Sequence, residues 1–245
     1  MRFCSLLIGL LFLTGACSKI GNQKLEDYLV NKPQSEEWLI ACSAGDKEGF
    51  NGEDFPVSVF FYPVPGATDY RYFESRNTDI DPMDFSAYKE VENLQLDDVF
   101  NGYLKRFRVE SSKERYGIVT YLVDDSVRIS DPIILQSKSK PTETSSDLVS
   151  ITENGITPSF SWEDGTQKDN VIYFQVISET DGDLISGTYT TDRFWTFYDL
   201  SNVVLDINQG NLPEIEAGKS YNFTLMSVND DNWVNVAVTV PFQTF

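Results

Sequence analysis

Hydrophobic residues recur at every second position along most of this chain. In the second half, Phe160 and Trp162 alternate with two serines. The same period continues at Ile172-Phe174-Val176, Tyr221-Phe223-Leu225 and Val234-Val236-Val238-Val240, and in the first half at Val57-Val59-Phe61, Tyr70-Tyr72 and Phe107-Val109. The run 117–123 is strand-like as well. Because successive side chains of a strand point to opposite faces of a sheet, this pattern predicts short β-strands throughout the chain.

Turn residues divide these predicted strands at fairly even intervals. Acidic and glycine-rich turns stand at Glu163-Asp164-Gly165, Thr180-Asp181-Gly182-Asp183, Glu216-Ala217-Gly218 and Asn229-Asp230-Asp231-Asn232. Short strands at even spacing are typical of sandwiches and barrels. The polar stretch 138–146 predicts a linker, with one β-sandwich at 35–137 and a second at 147–245. Each piece has about the size of a common domain.

Two segments depart from the strand pattern. Leu200, Val203, Val204 and Ile207 have helical spacing, which predicts a short helix capping the second sandwich. The fragment 25–29 predicts a turn of helix, too short to be stable alone. It lies in a polar segment, 17–34, that we interpret as a tether.

The first residues predict export and lipid attachment. Arg2 precedes an apolar run over 6–13, which is too short to span a bilayer, and 1–16 therefore reads as a signal peptide. Leu13-Thr14-Gly15-Ala16-Cys17 resembles the lipobox of bacterial lipoproteins. The resemblance implies acylation of Cys17 with chains such as palmitate and, since no aspartate follows the cysteine, placement on the outer membrane of a Gram-negative bacterium. The alternative is an ordinary signal peptide cut elsewhere.

A second resemblance concerns the fold. Pro158-Ser159-Phe160-Ser161-Trp162, Tyr173 and 218–225 resemble a fibronectin type III or related immunoglobulin-like module, whose core tryptophan and tyrosine match Trp162 and Tyr221. In the first half, 65–72, 115–120 and 130–135 resemble strands of the same family, with Tyr62 in the place of the core tryptophan. The resemblance implies an all-β fold of two tandem immunoglobulin-like sandwiches, without implying any chemistry.

Composition excludes several functions. The chain has 38 acidic and 19 basic residues, a net charge of −19, and such a surface repels nucleic acid. It contains no histidine, which removes Ser-His-Asp and Cys-His catalysis together with most zinc and iron sites. No phosphate-binding glycine loop is present. We therefore predict a protein that is not an enzyme and needs no cofactor; a pair of carboxylates remains the one catalytic alternative.

Three kinds of candidate site remain. Acidic turns offer weak calcium ligands at Asp181, Asp183, Asp230 and Asp231, although tight turns favour these residues anyway. Trp195 lies in a strand with aromatic residues on both faces, and Trp233 follows an acidic turn, so either could meet a glycan or a protein partner. Packing inside a core is the alternative for both. Cys42, in an apolar run, is expected to be buried and inert.

These expectations combine into one functional hypothesis. The chain would be a membrane-anchored envelope lipoprotein with a non-catalytic binding or scaffolding role through its sandwiches, contacting an envelope protein or a glycan. One alternative is a glycan-binding accessory protein of a polysaccharide-utilisation or adhesion system, and another is a purely structural spacer. Exposure of Trp195 and Trp233 in a shared groove would favour binding, whereas burial of both without any concave surface would favour the spacer.

Overall fold

Antiparallel β-sheets make up nearly all of the regular structure. The computed structural model describes residues 19–45, 55–111, 113–152, 155–208 and 212–245. Every pair of neighbouring strands within these ranges is antiparallel. Such sheets are built from short connections between strands that follow each other in sequence, as the frequent turn residues predict.

The first sandwich consists of a four-stranded and a six-stranded sheet. Its strands are β1 (Lys19–Lys24), β2 (Ala41–Gly45), β3 (Phe55–Phe61), β4 (Thr68–Glu74), β5 (Lys89–Glu92), β6 (Gln95–Val99), β7 (Leu104–Ser111), β8 (Arg115–Val123), β9 (Ser126–Ile129) and β10 (Ile133–Leu135). The four-stranded sheet has the order β2-β3-β7-β6. The six-stranded sheet has the order β1-β5-β4-β8-β10, and β9 also pairs with β8.

The second sandwich consists of a three-stranded and a five-stranded sheet. Its strands are β11 (Val149–Thr152), β12 (Ser159–Trp162), β13 (Asn170–Glu179), β14 (Leu184–Thr190), β15 (Phe194–Thr196), β16 (Val203–Asp206), β17 (Ser220–Asn229) and β18 (Val234–Gln243). The three-stranded sheet has the order β11-β12-β15, and the five-stranded sheet has the order β16-β14-β13-β17-β18. The predicted all-β class with tandem sandwiches is confirmed by this topology.

The four sheets stack in one series because two of them are apolar on both faces. In β3, Val59 and Phe61 face the core of the first sandwich, whereas Phe60 packs against a second cluster shared with the five-stranded sheet. In β13, Ile177 faces the core of the second sandwich, and Val176 faces that shared cluster. The order of layers is therefore six-stranded, four-stranded, five-stranded and three-stranded sheet, with apolar packing at each junction.

Two residues singled out by the family resemblance occupy the positions it implies. Trp162 is buried in the second core, with its ring 5.5 Å from that of Tyr173. Tyr221, at the start of β17, is also buried, and its hydroxyl accepts a 2.9 Å hydrogen bond from the backbone N–H of Glu216. A tyrosine at this place bonded to upstream backbone is a known feature of immunoglobulin-like sandwiches. Tyr62 differs, because it packs at the junction between sandwiches and Phe61 fills the core.

The predicted helix around Leu200 is wrong. Residues 203–206 form β16, which pairs with the edge strand β14 through contacts such as Leu205 opposite Tyr189. Ile207, just beyond this strand, is buried against the junction cluster, whereas Val204 and Leu205 are exposed. Pairing with a free sheet edge satisfies the backbone here, so the strand prevails over a weak local helical pattern.

The segment interpreted as a tether is folded over most of its length. Residues 19–24 form β1, and helix α1 (Leu25–Leu29) packs on the outer face of the six-stranded sheet. Leu25, Tyr28 and Leu29 are buried there against Phe73, which explains how so short a helix is stable. Two short 3-10 turns, Phe85–Ala87 and Ser146–Leu148, complete the regular elements of the described chain. Within the described ranges, no helix is long and apolar enough to cross a bilayer.

Candidate functional site

Trp233 is placed in the core of the first sandwich, although it belongs to the second. It follows β17 in the hairpin that leads to β18, and Asn229 Oδ1 accepts its backbone N–H at 3.0 Å. The indole is 0% exposed and belongs to the cluster formed by Val57, Val59 and Tyr121 of the first sandwich. Its role as a surface binding residue is therefore excluded, and it joins the two sandwiches instead.

The linker 138–146 runs through the same junction. Thr142 is buried, and its hydroxyl accepts a 2.8 Å hydrogen bond from the N–H of Gly45 and donates one of 2.7 Å to the carbonyl of Val234. Glu143 exchanges backbone hydrogen bonds with β18, donating to Asn235 at 2.8 Å and accepting from Ala237 at 2.9 Å. The linker has no apolar residue, but it can pack at this junction because its polar groups form hydrogen bonds with both sandwiches.

Trp195 is also 0% exposed. It lies in β15 and packs in the core of the second sandwich, 5.9 Å between ring centroids from Phe160. Its Nε1 donates a 3.0 Å hydrogen bond to the carbonyl of Asp199, so the polar group of the buried indole is satisfied. The aromatic residue that faces solvent on this strand is Phe194, which is 55% exposed. Trp195 cannot stack on a ligand, and the two tryptophans form no shared groove.

The aspartates of the acidic turns accept hydrogen bonds within their own turn or across the junction between the sandwiches. Asp181 accepts a 3.3 Å hydrogen bond from the N–H of Asp183 across a hairpin in which Gly182 has a φ of +101°. Asp231 Oδ2 accepts a 2.7 Å bond from the side chain of Gln136, which again links the sandwiches, and Asp230 is exposed beside it. Across the described residues, no three His, Cys, Asp or Glu side chains come together as metal ligands.

Cys42 lies half-buried at the junction cluster and is free, the one cysteine within the described ranges. Burial raises the pKa of its thiol to about 12. A thiol this hard to ionise is a poor nucleophile at neutral pH. Cys17, the predicted lipidation site, lies outside the described residues.

A concave surface opens where the first sandwich meets the second. This seam cleft is lined by residues 62–67, Tyr70, 101–103, Lys105 and Ile207, and it has a volume of about 460 Å³. Small-molecule sites are commonly clefts of roughly 300–1,000 Å³ with mainly apolar and aromatic walls. The seam cleft is therefore the candidate functional site of this chain.

Turn chemistry builds one wall of the seam cleft. Two prolines, Pro63 and Pro65, end the strand β3 and stiffen the loop that follows. The N–H of Ala67 donates to the carbonyl of Val64 at 3.1 Å, and Gly66 between them has a φ of +83°. Proline followed by glycine at the centre of such a turn is the type II signature. The wall is thus set by local geometry before any ligand arrives.

Three tyrosines line the seam cleft. Tyr62 and Tyr70 are half-buried, and Tyr70 donates a 2.7 Å hydrogen bond from its hydroxyl to the carbonyl of Ala67. Tyr103, in the four-residue turn between β6 and β7, is 47% exposed. Burial and the neighbouring Tyr103 raise the pKa of Tyr62, which keeps that hydroxyl protonated as a donor.

The seam cleft carries little charge despite the acidity of the chain. Among the described residues that line it, Lys105 alone is charged, and its Nζ lies 2.6 Å from Asp98 Oδ1. The same ammonium lies 5.3 Å from the ring centroid of Tyr70. None of the described lining residues is a carboxylate or a histidine, so this surface offers neither the acid pair of a glycosidase nor a general base.

A smaller groove of about 260 Å³ surrounds Trp38. The indole is 79% exposed, and Glu36, Glu37 and Asp131 line the groove beside it. Trp38 precedes the strand β2, which begins at Ala41.

Comparisons with known proteins find similarity of a low degree among solved structures. No protein-family model matches the chain, and no curated protein matches it. Among solved structures, the crystal structure of the chicken CNTN1 FN1-FN3 domains is similar at 11% sequence identity and a TM-score of 0.30. The match covers 87% of this chain and 68% of that one.

Proposed function

We propose that this chain is a non-catalytic binding protein of the bacterial cell envelope, anchored by lipid at Cys17 and receiving its ligand in the seam cleft. One observation carries the proposal: a preformed cleft with aromatic walls lies at the junction of two sandwiches that share a core. Rigid scaffolds that position irregular loops are a common basis for binding sites.

The shared core supports a cleft of fixed shape. Trp233 fills the first sandwich from the second, and Val228 and Val234 of the second pack with Ala44 and Leu104 of the first. Interfaces between domains are mobile by default unless they are large and apolar, as this one is. Binding of a ligand in the seam cleft would therefore lose little free energy to ordering of the cleft walls.

The alternative function is a structural spacer without a ligand. Burial of both Trp195 and Trp233 favours it, because neither can serve as a surface anchor. The presence of the seam cleft favours binding over the spacer.

One capture experiment distinguishes the proposed binding function from the structural spacer. The full chain is immobilised and exposed to detergent-solubilised envelope of the source cells, and retained proteins and sugars are identified by mass spectrometry. We expect at least one component that wild type retains and that Tyr103→Ala retains at least about tenfold less. Phe194→Ala is the matched control, since Phe194 is an aromatic residue of similar exposure remote from the seam cleft. Identical retention by wild type and Tyr103→Ala would favour the spacer.

The anchor is tested separately with two cysteine variants. Cells that express the full chain are fed a labelled palmitate analogue. The label should appear on wild type and on Cys42→Ser but not on Cys17→Ser, which should also leave the membrane fraction. Label on Cys17→Ser, or a mature N-terminus beyond residue 17, would contradict the anchor without affecting the binding proposal.

A further inference from the structure

We propose that the seam cleft binds a neutral carbohydrate; this inference names the ligand class of the binding function proposed above and rests on it.

Charge is the first reason. The chain has a net charge of −19, yet the described lining of the seam cleft has one charged group, the Lys105 ammonium, already paired with Asp98. An anionic ligand would approach against the field of the whole molecule and find no free cation within the seam cleft. A cationic ligand would find no carboxylate in the lining. An uncharged ligand suits these surroundings.

The chemistry of the walls is the second reason. Tyrosine presents an apolar ring face together with a polar tip, and such a side chain matches a sugar ring, which has C–H faces and equatorial hydroxyls. Within the described chain, the hydroxyls of Tyr62 and Tyr103 form no hydrogen bond to another protein group. Both remain available to a ligand, whereas Tyr70 already donates to Ala67.

Rigidity and size are the third reason. Pro63, Pro65 and the Val64–Ala67 turn hold one wall, and Ile207 fixes the opposite side to the buried junction. A volume of about 460 Å³ accommodates one or two sugar units but no folded partner. A preformed site of this size favours a small rigid ring over an extended peptide, which would lose more conformational freedom on binding.

The test uses the full-length chain in affinity electrophoresis with four neutral polymers: glycogen, laminarin, yeast mannan and xylan. Polygalacturonate serves as the acidic polymer. We expect retardation by at least one neutral polymer, weakened at least about tenfold in Tyr103→Ala and measurably in Tyr62→Phe, which removes one hydroxyl and keeps the ring. Phe194→Ala should bind within about twofold of wild type.

Three results would overturn the inference: retardation by none of the neutral polymers, retardation by polygalacturonate alone, or unchanged binding in both tyrosine variants. The envelope capture experiment separates this failure from failure of the proposed function. If capture still depends on Tyr103 while no neutral polymer binds, the seam cleft binds something other than a neutral carbohydrate. If capture is independent of Tyr103, the binding function itself fails.

Discussion

The indole Nε1 of Trp233 donates a 2.8 Å hydrogen bond to the backbone carbonyl of Lys140. A side chain of the second sandwich, buried in the core of the first, thus bonds the segment that connects the two. Separating the sandwiches would expose the indole and leave this carbonyl without its partner. We therefore expect the two sandwiches to unfold as one cooperative unit.

Replacing Trp233 with alanine should cost about 3–5 kcal/mol of unfolding free energy, the usual range for a buried aromatic residue. The cavity would lie in the first core while the mutation is in the second sandwich. Urea denaturation followed by tryptophan fluorescence should show a lower midpoint and a broader transition, because the sandwiches no longer unfold together.

Trp38→Ala provides the control for that loss. It removes the same side chain from an exposed position, so the unfolding free energy should change by no more than about 0.5 kcal/mol. Equal destabilisation by the two variants would show that Trp233 does not join the sandwiches.

The segment before the first sandwich should contribute to its stability. Leu25 of α1 is completely buried against the six-stranded sheet, and Leu25→Ala should cost about 2–5 kcal/mol. Val30→Ala, one residue beyond the helix at an exposed position, should have almost no effect. Thermal unfolding followed by circular dichroism measures both. A flexible tether would make the two variants indistinguishable.

Gly117 should not tolerate a methyl group. A Cβ built on it would lie 2.7 Å from Cε2 and 2.9 Å from Cζ of Tyr72, whose ring is buried in the first core and cannot move aside. Gly117→Ala should therefore destabilise the chain by about 1–3 kcal/mol through overpacking. Gly45→Ala, in another strand with ordinary contacts near 3.5 Å, should be neutral or slightly stabilising in the same denaturation assay.

Alkaline pH should destabilise the chain partly through Cys42. Burial raises the pKa of the folded thiol to about 12, against 9.0 for an exposed thiol. Only the unfolded thiol ionises between these values, so the contribution is complete below pH 9 and is lost as the pH rises toward 12. The melting temperature of Cys42→Ala should fall less steeply over this window than that of wild type.

The thiol also gives a direct chemical readout. At pH 8, a thiol reagent such as 5,5′-dithiobis(2-nitrobenzoate) should react with Cys42 slowly in the folded chain and rapidly in urea. Labelling should be measured in the Cys4→Ser and Cys17→Ser background, so that Cys42 alone reports. Rapid labelling of the folded chain would contradict the buried environment.

The sequence pattern was sufficient to predict the strands, since period-two alternation follows from the pleat of a sheet. The same pattern also indicates, in β3, that the two sandwiches pack against each other. Phe60 and Tyr62 alternate with Val59 and Phe61, so β3 is apolar on both faces, as a strand between two packed layers must be. The two predicted sandwiches are present, and they pack against each other through the outer face of β3.

Other features depended on contacts far apart along the chain. Nothing local distinguishes Trp233 at an exposed hairpin from Trp233 inserted into a core whose other members lie between residues 39 and 135. The residues around Leu200 do have helical spacing, but residues 203–206 form a strand because they pair with the edge of β14. The seam cleft combines two loops of the first sandwich with Ile207 of the second, so no single motif could reveal it.

Because β1 begins at Lys19, the distance between the folded sheets and an anchor at Cys17 is short. Lys19 is already paired with Glu92 in the six-stranded sheet, two residues after Cys17. An extended chain advances at most about 3.6 Å per residue, so the Cα atoms of Cys17 and Lys19 can be no more than about 7 Å apart. A fully extended tether over residues 17–34 would span roughly 60 Å. A lipid on Cys17 would instead hold β1, at the edge of the six-stranded sheet, close to the headgroups.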